Sequence, residues 1–112
     1  MYYLFCINDY AYNIFYKNPS YLYNILNILL HTKKDNFNYG YNLYKNICTP
    51  FKVDVLKSYF TYLNIKPSRI IIDNKNLFSL FNIYSKKIFA IDFKNNKYFW
   101  LKDILLYRWL YG

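Results

Sequence analysis

Apolar positions along the chain change their spacing from two to about 3.6 residues and back, and each run names an element. The first, Tyr2 to Asn8, is almost continuously apolar and aromatic and predicts a buried or half-buried strand. Asn18 is a good N-cap and Pro19 fits a first helical turn; Leu22, Ile25, Leu26, Leu29 and Leu30 then recur on one helical face. His31, Lys33 and Lys34 close this helix, where cations meet the negative end of its dipole. From Asp35 to Asn46, Phe37, Tyr39, Tyr41 and Tyr44 alternate with polar residues, a pattern that predicts an extended ribbon.

Thr49 and Pro50 give a second cap signal, followed by Val53, Leu56, Phe60 and Leu63 at helical spacing up to the break before Pro67. Residues Lys52 to Lys57 also alternate, so a strand competes there. Ile70, Ile71 and Ile72 form a β-branched run suited to a central strand, and Asn76 to Tyr84 suits a short helix. Phe89, Ile91 and Phe93 alternate, Asn95 and Asn96 supply turn chemistry, and Tyr98 to Leu101 returns, so Lys87 to Leu101 predicts a hairpin. Asp103 to Leu110 reads as a closing apolar helix. Neither a repeat nor a linker composition interrupts the series, so residues 1–112 are expected to form a single α+β domain: a small antiparallel sheet with two or three helices packed on it.

Composition changes the picture in two ways. Of 112 residues, 55% are apolar and 25% aromatic, so the chain has ample area for a core and lacks the signature of disorder. It also holds 16 Tyr, 15 Asn, 13 Lys, 13 Ile and 10 Phe, with no Glu or Gln. These are residues of AT-rich codons, so the bias is expected from a very AT-rich genome such as a protist mitochondrion or some large viruses. Mutation pressure alone therefore accounts for most single tyrosines. Cys6 and Cys48 stand far apart in no metal-ligand or redox spacing and read as small buried hydrophobes in a reducing compartment. No secretory signal or Arg-rich presequence opens the chain, so an organellar location implies synthesis inside the organelle. The longest uncharged stretch, Asn18 to Thr32, is shorter than the ~20 residues of a spanning helix, and no transmembrane segment is expected.

Enzyme chemistry finds little to work with. Six Asp and one His are scattered one per segment, no Ser lies in a nucleophile elbow, and two Gly rule out a phosphate-cradling loop. The expectation is a protein without catalysis, cofactor or metal.

Charge is the informative feature: 15 Lys and Arg against 6 Asp give a formal charge of +9. Cations sit at segment ends throughout, which suits several contacts with phosphate. The candidate RNA-binding residues are Lys45, Lys52, Lys57, Lys66, Arg69, Lys86, Lys87, Lys94 and Lys97, with Tyr39, Tyr41 and Tyr44 placed to stack on splayed bases. Thirteen Lys to two Arg favours phosphate neutralisation over bidentate base reading. The plain alternative is a solvated Lys surface that keeps an apolar protein soluble.

Val55, Leu56, Lys57 and Ser58 resemble the Val-Leu-Arg/Lys-Ser stretch of the NusE, or S-ten, family of small-subunit ribosomal proteins. Lys66, Pro67, Ser68 and Arg69 are similar to its Lys-Lys-Ser-Arg. Lys86, Lys87, Ile88, Ala90, Ile91 and Asp92 resemble its Lys-Arg-Leu-Ile-Asp segment, and Gly40 stands where its proline-rich loop begins. The resemblance implies a ferredoxin-like sheet with an extended hairpin, set among ribosomal RNA and neighbouring ribosomal proteins. It also implies a strand at Val55 and Leu56, where the periodicity predicts a helix. The expected function is thus a structural rRNA-binding subunit of a mitochondrial ribosome, in the matrix. The alternatives are an accessory subunit of a respiratory membrane complex and a small viral binding protein.

Overall fold

The computed structural model describes residues 1–30, 45–60 and 62–104. In chain order the elements are β1 (Tyr2–Cys6), α1 (Asp9–Phe15), α2 (Pro19–Leu30), α3 (Val53–Tyr59), β2 (Asn64–Ile65) and β3 (Ile70–Ile72). A 3-10 turn (Lys75–Leu77) then runs into α4 (Phe78–Tyr84), followed by β4 (Ile88–Asp92) and β5 (Lys97–Trp100). Residues 101–104 are helical.

The strands form one five-stranded sheet in the order β2-β3-β1-β4-β5, antiparallel throughout. β1, the most continuously apolar strand, is central. Leu4 faces Ile70 on one side and Ala90 on the other, so both of its edges are paired. The first four strands and their helical connections trace the split β-α-β-β-α-β order of ferredoxin-like sheets, with β5 added outside β4.

Strand alternation sends side chains to two faces, and both are covered. Leu4, Cys6, Ile70, Ile72, Ile88 and Ala90 meet Leu56 of α3 and Phe78 and Phe81 of α4 on one face. Phe5, Ile7, Phe89, Ile91 and Trp100 meet Ala11 of α1 and Leu22 and Leu26 of α2 on the other. Complete burial of β4 on both faces follows from this sandwiching, at about 1.5–3 kcal/mol for each large side chain removed from water. Cys6 and Cys48 belong to opposite faces, and both are buried thiols outside any disulfide.

The helix of Pro19–Leu30, the triple-Ile strand and the Asn95–Asn96 hairpin stand as the spacing predicts. At the hairpin turn Asn96 takes φ 52°, the left-handed region that Asn tolerates best after Gly. The stretch with two readings is helical over Val53–Tyr59: Leu56 is buried while Val55 is 52% exposed, so the strand alternation and the strand implied by the S-ten resemblance both fail there. This helix ends earlier than the Pro67 break, because Ile65 finds a ladder partner in Ile70 and joins the sheet. The final strand stops at Trp100 and helix begins at residue 101, two residues ahead of Asp103; residues 105–110 lie outside the described residues. Of the Asp35–Asn46 ribbon only residues 45–46 are described, and these are helical, leading into Ile47 and Cys48, which are both buried and so break the alternation. Helix α1 has no counterpart in the periodicity reading. Its start is written in Asn8, whose side chain accepts the Ala11 N–H at 2.8 Å.

Candidate nucleic-acid interface

Strand direction sorts the cations. One end of the sheet is where β1, β2 and β5 finish and β3 and β4 begin. Backbone hydrogen bonds draw the segment before α3 onto this end: Asn8 N–H to Ile47 O (2.8 Å), Thr49 N–H to Cys6 O (2.8 Å) and Phe51 N–H to Pro67 O (2.9 Å). The N–H of Lys52 donates to the Tyr84 hydroxyl at 3.2 Å, tying the head of α3 to the tail of α4. Lys45, Lys52, Lys66, Arg69, Lys86 and Lys87, six of the nine cations singled out in the sequence, therefore share one end, although they span more than forty positions of the chain.

Their side chains are not equivalent. Lys45, Lys52, Lys66 and Lys86 are exposed. Arg69 is half-buried beside its hairpin neighbour Ser68, whose hydroxyl it reaches only at 3.5 Å, and its Nε is buried without a hydrogen-bond partner among the described residues. Lys87 is committed internally: its ammonium pairs with Asp9 and lies 5.7 Å from the centre of the Tyr12 ring. Lys102, at the same end, bonds the Tyr12 hydroxyl and sits 4.5 Å from the Tyr16 ring centre. The bond to Tyr12 holds the Lys102 ammonium above the ordinary lysine range, against a smaller opposing effect of burial. Burial, then the bond that Tyr16 donates to Asp103 at 3.1 Å, pushes the Tyr16 hydroxyl up. These contacts clamp α1 to the start of the last helical turn, and so remove Lys87 and Lys102 from the pool free to meet a partner.

The carboxylates of this end are Asp9, Asp54 in the first turn of α3, and Asp103. Asp9 and Asp103 are each occupied, by Lys87 and Tyr16 respectively. Exposed Lys52, Lys66 and Lys86, with Arg69 beside them, therefore stand at this end against the exposed carboxylate of Asp54. That surplus is an anion-seeking surface.

Lys94 and Lys97 lie elsewhere. They flank the β4–β5 turn at the opposite end of the sheet, where Asp92 pairs with Lys97 in register. Lys57 stands on α3 between the two ends. Tyr39, Tyr41 and Tyr44 lie outside the described residues. Tyr59 and Tyr62, 76% and 74% exposed around the end of α3, present rings to solvent that the alternation argument had no reason to single out. Most other described tyrosines instead pack on the protein's own cores: Tyr2, Tyr3, Tyr12, Tyr16, Tyr23, Tyr84 and Tyr98. Among the described residues, no cluster of three or more His, Cys, Asp or Glu is placed to hold a metal ion, and no helix is long and apolar enough to cross a membrane.

No protein-family model matches this chain, and no curated protein matches it.

Proposed function

We propose that the chain is a structural RNA-binding subunit of a ribonucleoprotein particle, specifically a mitochondrial ribosome with the small subunit favoured, and that it performs no catalysis. One observation carries the reading: Lys52, Lys66, Arg69 and Lys86, dispersed in sequence, meet at one end of the sheet with little carboxylate to neutralise them. Phosphate is the natural counter-charge for such a surface, because each neutralised phosphate releases condensed counterions. The ribosomal assignment adds the AT-rich composition and the S-ten-like Lys66–Arg69 and Lys86–Asp92 motifs, which fall on the β2–β3 turn and on β4. The Val55–Ser58 motif, being helical, adds nothing to it.

The test is a salt titration of binding to a 20-base-pair RNA hairpin by filter retention, followed by sedimentation of the native particle. Affinity should fall steeply between 50 and 200 mM salt, about 0.9 log units per log unit of salt for each phosphate contact. Co-sedimentation with rRNA that salt reverses supports the ribosomal reading. Salt-resistant attachment to membrane fractions favours an accessory subunit of a respiratory complex instead. Affinity that ignores salt removes the phosphate argument altogether.

A further inference from the structure

On the face of the sheet covered by α1 and α2, the described cations other than Lys17 gather at the two ends; Lys57 stands on α3, over the opposite face. At the far end of the sheet, where β3 and β4 finish, Lys75, Lys94 and Lys97 are exposed. The Asp92 carboxylate at that end offsets part of this charge from a buried position, where Asn95 donates to it through its side-chain amide at 2.7 Å and its backbone N–H at 3.4 Å. That bonding also lowers the Asp92 pKa and fixes the turn, so Lys94 and Lys97 stand on a preorganised tip. Only Asp73 remains as an exposed acid beside Lys75. Between the ends, the sequence from Tyr10 to Leu30 holds a single charge, Lys17, and α2 has neither an acidic nor a basic residue. The exposed positions of this layer are Tyr10, Asn13, Ile14, Lys17, Asn18, Ser20, Tyr21, Asn24 and Ile28, of which Lys17 alone is charged.

β4 alone, five residues at ~3.3 Å each, sets the two groups about 16 Å apart before any loop is added. One RNA segment crossing the α1–α2 face from end to end would lay several phosphates along a belt where Lys17 is the single cation among the described residues, whereas two segments, one at each end, meet several cations at each contact. Resting on the RNA-binding reading above, we propose that the protein staples two separate RNA segments, one at each end of its sheet. The stronger contact is the Lys52, Lys66, Arg69 and Lys86 end, and the weaker is the tip carrying Lys94 and Lys97 with Lys75.

The experiment mixes the full chain with two 20-base-pair RNA hairpins, one carrying a donor and one an acceptor fluorophore. It reads energy transfer together with stoichiometry by sedimentation velocity at 100 mM salt. The wild-type chain is expected to form complexes of two hairpins per protein, with energy transfer that rises and then falls as protein passes half the RNA concentration. K75A/K94A/K97A should keep one-to-one binding and lose the transfer. K52A/K66A/K86A should also lose the transfer, with one-to-one affinity reduced tenfold or more. All six lysines are exposed, and matching circular dichroism melts verify that each variant is folded. Salt-sensitive binding that stops at one hairpin per protein overturns the stapling proposal and leaves the RNA-binding reading intact. Full transfer by K75A/K94A/K97A does the same. A wild-type chain that binds neither hairpin overturns both.

Discussion

Replacing Trp100 by Phe tests how the first helix is held. The indole is 3% exposed, lies edge-on to Tyr12 and Phe89 with ring centres 5.0 Å away in each case, and donates its N–H to the carbonyl of Tyr16 at 3.2 Å. Tyr16 is the C-cap of α1, so the accepting carbonyl is one of those a helix end leaves without an intrahelical partner. Phe keeps a ring in the slot but removes the donor. Stranding that half-buried carbonyl costs about 1–2 kcal/mol, and the lost part of the ring about 1 kcal/mol more. A total of about 2–3 kcal/mol is a large share of the ~5–15 kcal/mol typical of a small domain. In urea unfolding followed by far-ultraviolet circular dichroism, which avoids the fluorescence of Trp109, it should lower the midpoint by about 1–1.5 M with an unchanged slope. The thermal midpoint should drop by about 8–15 °C. W100A should cost about 3–5 kcal/mol. A midpoint for W100F within about 0.2 M of wild type would refute the claim that this hydrogen bond and its ring contacts anchor α1.

Other expectations follow from the same contacts. Lys86 is exposed and Lys87 is paired with Asp9, so K86A should weaken binding to an RNA hairpin about four- to sixfold at 0.15 M salt, the value of one phosphate contact, while K87A should cost less. D9N frees Lys87 and should tighten binding; equal losses for K86A and K87A, with no gain for D9N, would show that the ion pair does not operate in solution. Asp92 has a folded pKa below its ordinary 3.8, so its contribution to stability is complete above that value and is lost as pH falls through the lower folded one. D92N should therefore flatten the acid limb of a pH-stability curve below about pH 5, and an unchanged limb would rule the contribution out. Cys6 and Cys48 are buried on opposite faces, and burial pushes the Cys6 thiol up. Both should resist a thiol-reactive dye until denaturant is added and form no intramolecular disulfide with mild oxidant; rapid labelling of either in the native protein would contradict its placement.

The sequence revealed elements where one periodicity ruled. α2 could be read to its first residue because Asn18-Pro19 marks the start and Leu22 and Leu26 mark the face. The hairpin could be read because Asn95 and Asn96 punctuate a period of two. α1 was hidden because a seven-residue helix offers fewer than two turns of pattern, and Ala11 is its only buried residue. The end of α3 was hidden because the competition between helix and ladder is settled by Ile70, a residue that enters the segment's surroundings only in three dimensions. For the interface, the residue types were legible and their grouping was not. Nothing local distinguishes Lys86 from Lys94, yet strand direction sends one to each end of the sheet. Nor does any spacing announce that Lys87 is neutralised by Asp9, seventy-eight positions away.

The place of β1 in the sheet has a consequence for how the protein is made. The strand synthesised earliest is the one in the middle, and its two neighbours, β3 and β4, are translated only after residues 70 and 88. At ~5–20 residues per second, Tyr2–Cys6 waits about 4–17 s for the far side of its pairing to be complete. During that interval a greasy ribbon with two open edges is exposed to whatever surrounds the growing chain. A factor that shelters nascent strands would act in that window, and slowing translation after residue 72 should lower the yield of soluble protein.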